Sequence, residues 1–233
     1  MKRVTFYIDG FNFYYGLKRM CIADRRWMQF YWIDVVSLCK SFLPAEQTLE
    51  RVVYFTASPL DTGSASRQGA FLNANKFRNP GTFEIVRGKY LTKEIVCPSC
   101  NFSITRPEEK KTDVNISIRM LEDCMGKRTD KIVLVSADSD LIPPLAAIRR
   151  LFPDIGIGVY FPPANISNDI MSFMASWHKK VVFLKKNYGK FKNAIMPDVV
   201  SVDGNSATIP AKWKTKQNTG ANADKCSSGI SPS

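Results

Sequence analysis

Histidine, long apolar runs and paired cysteine motifs are scarce in this chain of 233 residues. With one histidine, His178, the sequence has neither an HExxH zinc motif nor a CxxC…HxxxH finger. It has no run of eighteen apolar residues that would predict a membrane span. Asp9 interrupts the amino end too early for a secretory signal. We therefore expect a cytoplasmic protein with no membrane partner.

The six cysteines are scattered, apart from one CxxC motif formed by Cys97 and Cys100. Small disulfide-stapled domains use cysteine in denser patterns. The motif supplies half of a structural zinc site, which needs two further ligands, so zinc is not predicted there. Reduced thiols on a turn, a redox disulfide, or zinc completed by distant ligands remain the alternatives.

Basic residues are abundant, since 33 Lys and Arg against 21 Asp and Glu give a net charge of +12. Such an excess favours a polyanionic partner, either nucleic acid or an anionic membrane surface. Hydrophobic residues make up 45% and charged residues 23%, which is typical of a globular domain. The composition therefore predicts a folded protein with an anionic ligand.

Short apolar segments alternate with segments of helical pattern along most of the chain. Strands are predicted at residues 3–8, 52–55, 82–86, 132–135, 155–161 and 181–184, and helices at 34–42, 64–77, 108–125, 141–152 and 167–177. Strands that are apolar on both faces are typical of a parallel sheet covered by helices on both sides. The pattern predicts a three-layer α/β domain with a central, mostly parallel sheet over residues 1–185.

Two regions depart from this alternation. Residues 87–106 contain the CxxC motif between two extended pieces, which predicts a β-hairpin inserted before the next helix. Residues 186–233 are rich in Asn, Ser, Lys, Gly and Pro and show no sustained apolar period. We expect them to form a flexible basic tail.

Acidic residues follow two of the predicted strands at their carboxyl ends, where ligand sites of open parallel sheets form. Asp9 ends the first strand, and Asp138 and Asp140 follow the strand at 132–135. Asp113 lies near the start of the helix predicted at 108–125. The apolar stripe expected to pack this helix on the sheet is Val114, Ile118, Leu121 and Met125.

A cluster of carboxylates from separate elements costs folding free energy unless a cation neutralises it. Hard oxygen ligands of this kind suit Mg²⁺ or Mn²⁺. Such an ion activates water for attack on a phosphodiester, so the pattern predicts phosphodiester hydrolysis. Each acid also has an ordinary structural interpretation, as a turn residue or as a helix cap.

Three segments resemble the NYN domain family in its LabA-like branch, which belongs to the PIN-like ribonucleases. They are residues 7–12 (YIDGFN), 109–114 (EKKTDV) and 135–140 (VSADSD), and the resemblance spans about residues 3–185. It implies a Rossmann-like PIN fold whose acids bind Mg²⁺ or Mn²⁺ and cleave RNA. On this resemblance Asp9, Asp113 and Asp138 are the metal-binding acids, with Asp140 as a fourth catalytic acid.

Polar residues around these acids are candidates for substrate binding. By the same resemblance Asn12 orients a carboxylate or a phosphate, and Ser136 and Ser139 donate to phosphate. Lys110 and Lys111 precede Asp113 and are expected to hold the RNA backbone.

Four aromatic residues stand beside Asp9 in the sequence: Phe11, Phe13, Tyr14 and Tyr15. Their rings suit either stacking on the bases of a single strand or packing within the domain, which is the commoner use.

The sequence predicts a metal-dependent endoribonuclease acting on single-stranded RNA. The alternative is a non-catalytic nucleic-acid-binding or regulatory module of the same fold. A phosphatase or a DNA-directed nuclease using the same carboxylates is a third interpretation. The RNA target, the number of metal ions and the formation of a homo-oligomer are left open.

Overall fold

The computed structural model of the chain describes residues 1–96, 98–100 and 102–214. The strands are β1 (Lys2–Asp9), β2 (Gln47–Thr56), β3 (Phe83–Arg87), β4 (Lys89–Val96), β5 (Ser103–Lys110), β6 (Lys131–Val135), β7 (Gly156–Phe161), β8 (Val182–Phe183), β9 (Val199–Val202) and β10 (Asn205–Thr208). The helices are α1 (Gly10–Ala23), α2 (Val35–Lys40), α3 (Thr62–Arg78), α4 (Thr112–Met125), α5 (Ile142–Leu151), α6 (Asn168–Ala175) and α7 (Tyr188–Asn193).

A central sheet of six parallel strands, in the order β3–β2–β1–β6–β7–β8, organises the domain. Side chains alternate between its faces, so Phe6 and Ile8 of β1 enter one buried cluster and Tyr7 enters the other. Helices α1, α2, α3 and α7 cover the first face, and α4, α5 and α6 cover the second. The predicted three-layer α/β domain is confirmed.

Helix α4 packs through a different face from the one predicted. Its buried apolar residues are Ile116, Met120 and Cys124, four residues apart. The predicted stripe is instead exposed at Val114, Ile118 and Met125 and half-buried at Leu121. The prediction was wrong because the buried face also carries the polar Thr112 and Asp123, which made it look hydrophilic in the sequence.

The insertion before α4 forms antiparallel strands, β4 and β5, paired from Lys89 with Lys110 to Val96 with Ser103. Strand β5 extends beyond the predicted bound of 106 to Lys110, so the helix predicted from residue 108 begins only at Thr112. Cys97 lies outside the described residues, and Cys100 is exposed.

The prediction of a flexible tail from residue 186 was wrong for residues 186–214. This stretch forms α7, the β9–β10 hairpin and a 3₁₀ segment ending at Trp213. The hairpin contacts α3, and Phe191, Val200 and Trp213 are at most 7% exposed. Each short element contributes one or two anchors, too few to produce a period in the sequence. Residues 215–233 of the predicted tail lie outside the described part of the chain.

Among the described residues, none of the helices is both long enough and apolar enough to cross a membrane.

Candidate active site

Asp9 is the last residue of β1 and also the N-cap of α1, so the strand runs directly into the helix. Its Oδ1 accepts hydrogen bonds from the backbone N–H groups of Phe11 at 3.1 Å and Asn12 at 3.0 Å. A Cβ on Gly10 would lie 2.5 Å from the carbonyl oxygen of Phe55 and 2.6 Å from Cε1 of Tyr54. Glycine therefore follows Asp9 because β2 leaves no space for a side chain.

The second oxygen of Asp9 is bound by side chains. Its Oδ2 accepts from Nδ2 of Asn12 at 2.7 Å and from the hydroxyl of Ser136 at 2.8 Å. These four donors occupy the roughly four lone-pair positions of a carboxylate, and all of them are neutral. Within the described ranges, no lysine or arginine forms an ion pair with Asp9.

Asp9 is 3% exposed. Burial is the main reason that the pKa of Asp9 lies above its usual value. Hydrogen bonds from Asn12 and Ser136 lower this pKa, whereas the negative charge of Asp138 raises it further. The carboxyl group of Asp9 is therefore buried, and among the described residues it receives hydrogen bonds from neutral groups and no ion pair.

Ser136 links Asp9 to the loop that follows β6. Its hydroxyl donates to Asp9, and its Oγ accepts from the backbone N–H of Asp138 at 3.1 Å. Oδ1 of Asp138 in turn accepts from the N–H of Asp140 at 3.0 Å. Ser136 is buried, Asp138 and Ser139 are half-buried, and Asp140 is exposed. Solvent exposure therefore increases along the loop after β6.

The structure does not assemble the predicted cluster of three or four carboxylates. In the part of the chain that is described, no group of three His, Cys, Asp or Glu side chains lies close enough to hold a metal ion. Asp113 lies half-buried in the first turn of α4. Oδ1 of Asp9 accepts from the start of α1 and Oδ2 accepts in part from Ser136 after β6, whereas Oδ1 of Asp138 accepts from the N–H of Asp140.

The predicted phosphate-binding lysines lie at the junction of β5 and α4. Lys110 ends β5, and Lys111 occupies the N-cap position of α4 with a left-handed φ of 78°. Both are exposed. The strained conformation of Lys111 is maintained by the tertiary structure around it, as at many functional loops.

Sequence reasoning missed Asn165, which lies in the loop after β7. Nδ2 of Asn165 donates to both Oδ1 and the backbone oxygen of Asn12, each at 2.9 Å, and Arg19 donates to Oδ1 of Asn165. Ala164 before it has a left-handed φ of 60°. This loop follows the carboxyl end of a third parallel strand, and that position is the signal in the sequence that could have led to it. Asn165 fixes Asn12 and, through it, Asp9.

The aromatic residues after Asp9 have two different environments. Phe13 is 2% exposed and packs in the core, whereas Tyr14 and Tyr15 are 36% and 45% exposed. Phe11, Tyr14 and Tyr15 line a cavity of about 320 Å³ between α1 and α3.

Comparison with known proteins supports the resemblance found in the sequence. The pattern of the NYN domain family matches residues 3–174. The chain belongs to the NYN domain family. Its six-stranded parallel sheet between two helical layers is consistent with the PIN-like fold of that family.

A curated relative of this NYN chain is 6-hydroxy-3-succinoylpyridine 3-monooxygenase HspA of Pseudomonas putida (strain DSM 28022 / S16). The two are 28% identical over 249 aligned residues, covering 91% of this chain and 75% of the relative. A protein of unknown function from Vibrio parahaemolyticus RIMD 2210633 has a crystal structure with a TM-score of 0.47 at 16% identity. That match covers 78% of this chain and 93% of the other.

Proposed function

We propose that this NYN protein is a metal-dependent endoribonuclease that hydrolyses RNA phosphodiester bonds beside Asp9 and Asp138. One observation supports this most directly: Asp9 is buried, the charge of Asp138 acts on it, and no lysine or arginine in the described part of the chain forms an ion pair with it. Buried carboxylates are ordinarily paired with a cation or bound to a metal. A divalent cation would supply the missing positive charge, and the negatively charged phosphate backbone would be a further ligand of that cation.

The donor set is suited to Mg²⁺ or Mn²⁺ completed by substrate. Mg²⁺ in phosphoryl-transfer sites is usually bound by one or two carboxylates, water and the phosphates themselves. Asp9 and Asp138 match this set. Such an ion would polarise a phosphoryl oxygen and lower the pKa of a bound water. Ser136 can release Oδ2 of Asp9 by rotating its hydroxyl, at the cost of one hydrogen bond.

The surrounding residues have separate roles in this proposal. Asn12 orients Asp9 and is held by Asn165. Lys110 and Lys111 bind the RNA backbone, and Ser139 donates to a phosphate. Asp113 in the first turn of α4 and Asp140 in the loop after β6 are the further acids of this proposal. Phosphate contacts of this kind make RNA binding weaken steeply with salt.

The test is cleavage of a labelled single-stranded RNA with Mg²⁺ or Mn²⁺, with EDTA, and with matched DNA and small phosphate esters. We expect RNA products that depend on the divalent ion. RNA retention without products would show a non-catalytic binding module, and preference for DNA or esters would show another phosphohydrolase. Either result would overturn the ribonuclease proposal.

A second candidate function is binding of a flat heteroaromatic small molecule. The named substrate of the curated relative is a pyridine derivative, and the aromatic lining of the cavity between α1 and α3 favours such a ring. Titration of the chain with 6-hydroxy-3-succinoylpyridine tests this candidate. Saturable binding in the micromolar range, together with no RNA cleavage, would favour it over the nuclease.

A further inference from the structure

The cavity between α1 and α3, called here the aromatic pocket, is preformed and adjoins the acidic site. Its volume is about 320 Å³, at the lower end of the range for ligand sites. Rings make up much of its wall, among them those of Phe11, Tyr14, Tyr15, Tyr31, Tyr54 and Trp213. A pocket of this size and lining accommodates one planar group and excludes a duplex.

Part of the wall is a continuous series of rings from α1 to the carboxyl end of the described chain. The ring centroids of Tyr14 and Tyr15 are 5.4 Å apart, and those of Tyr14 and Tyr31 are 5.6 Å apart. Trp213 continues the series, with its centroid 5.5 Å from that of Tyr31. These contacts fix the rings before any ligand arrives, so little ordering is needed on binding.

Polar groups of the pocket lie on β2 and α3. Gln68 donates through Nε2 to Oγ1 of Thr56 at 2.9 Å and to the backbone oxygen of Ala57 at 3.1 Å. Arg67 donates to Ser64 at 2.8 Å. Burial raises the pKa of Tyr14, and the positive charge of Arg67 offsets part of this increase. Rings on one side and hydrogen-bonding groups on the other are the chemistry that recognises an unpaired base.

The pocket begins one residue away from Asp9. Gly10 and Phe11 line it, and the Tyr54 hydroxyl lies 3.5 Å from the backbone oxygen of Gly10. Burial raises the pKa of Tyr54, and the charge of Asp9 raises it further. Lys18 and Arg67 also line the pocket and provide positive charge for a phosphate chain.

We propose that the aromatic pocket binds one unstacked nucleobase of a single-stranded RNA whose phosphodiester lies beside Asp9 and Asp138. This rests on the proposed function and adds to it a subsite for one base that has left the stack of the strand. The pocket selects against duplex RNA, in which every base is paired, and anchors the strand at one nucleotide relative to the acids.

A double-mutant cycle between the protein and the RNA tests this proposal. The full chain and its Tyr14→Ala variant are titrated in EDTA with labelled single-stranded RNAs that carry one abasic position, moved along the strand. Loss of one stacked base or its ring is worth about 1–3 kcal/mol, or roughly a 5- to 150-fold loss of affinity. At one abasic position we expect the loss of affinity from Tyr14→Ala and the loss from the missing base not to add, because each change removes the same contact.

Two control variants accompany the cycle. Tyr14→Phe keeps the ring and should bind within about twofold of the unmodified chain. Phe102→Ala removes an exposed ring on the inserted hairpin, outside the pocket, and any loss that it causes should add to the loss from the missing base. Thermal melting confirms that each variant folds.

The outcomes separate this proposal from the nuclease proposal. Additive losses at every abasic position would overturn the base pocket even if RNA is cleaved normally. Non-additive losses without cleavage would support the base pocket and reject the nuclease. Binding of a free pyridine such as nicotinate, abolished by Tyr14→Ala, in a chain that does not bind RNA would overturn the base pocket.

Discussion

Asp9 and Asp123 are both buried carboxylates, 3% and 2% exposed, yet the protein treats their charges in opposite ways. Asp123 accepts from Nε of Arg119 at 3.0 Å, Nε of Arg128 at 2.7 Å and the hydroxyl of Tyr7 at 2.8 Å. Asp9 accepts from four neutral groups. The fold therefore pairs the charge of Asp123 with two arginines, whereas no lysine or arginine of the described residues forms an ion pair with Asp9.

The two buried carboxylates therefore differ in the charge of their partners, and this difference supports the proposed role of Asp9. Burial of a charge costs free energy unless it is paired. For Asp123 the two arginines offset that cost within the chain. For Asp9 the hydrogen bonds offset part of it, and the pKa of Asp9 remains raised.

The largest expected effect is on activity, from Asp9→Asn. We expect cleavage to fall by at least about 100-fold, because the charge that would hold the cation is lost. Stability should change by only about 1 kcal/mol, since Asn is also a good N-cap and the Ser136 hydroxyl can turn to accept. Initial cleavage rates and urea unfolding measure the two quantities. Full activity in this variant would show that cleavage does not need the charge of Asp9.

Asp123→Asn should show the reverse pattern. Removing one partner of a buried ion pair typically costs about 3–5 kcal/mol, and we expect the lower end because Arg128 is half-exposed. Cleavage per folded molecule should be unchanged. Urea unfolding measures the loss, with Asp130→Asn as control, since its surface pair with Arg3 is worth at most about 1 kcal/mol.

Gly10→Ala tests whether the position of Asp9 depends on the close approach of β2. The added Cβ would lie 2.5 Å from a backbone oxygen, so we expect a loss of about 1–3 kcal/mol and reduced cleavage. Gly69→Ala in α3 is the matched control, because nothing lies within 4 Å of its added Cβ. It should stabilise the chain by about 0.4–1 kcal/mol. Equal stabilisation by both substitutions would contradict the packing argument.

The smallest effect is a pH dependence of opposite sign for Asp9 and Asp130. Arg3 lowers the pKa of Asp130 to about 2, so its stabilising contribution is present above the ordinary Asp pKa and is lost as pH falls toward 2. Asp9 has a raised pKa, so without metal its ionisation removes stability as pH rises above the ordinary value.

Urea unfolding in EDTA between pH 3 and 7 measures both slopes against Asp9→Asn and Asp130→Asn. In Asp9→Asn the free energy of unfolding should no longer decrease as pH rises. Added Mg²⁺ near pH 7 should stabilise only chains that retain Asp9. A wild-type slope that Asp9→Asn leaves unaltered would show that Asp9 does not titrate as inferred.

The predicted strands were mostly found because each is a short run of β-branched and aromatic residues that the sheet buries on both faces. The acids after β1 and β6 were found for a related reason, since the end of such a run marks the edge of the sheet. Helix α4 was misread because it carries two apolar stripes, and the choice between them depended on Tyr7 and the arginines around Asp123.

Other features depend on contacts between residues far apart in the chain. Asn165 forms a hydrogen bond with Asn12, which lies 153 residues away in the sequence. The ring of Trp213 contacts that of Tyr31 at the aromatic pocket. No local pattern marks either residue, because one side chain in a short loop creates no periodicity.

The sequence by itself determined the parallel sheet, the family and the acids that end β1 and follow β6, because each follows from the order of residues along a strand. Tertiary structure alone decided which buried carboxylate lacks a cation and which rings enclose a cavity. Charge neutralisation and cavity shape are properties of neighbours in space, and folding selects those neighbours from distant parts of the chain.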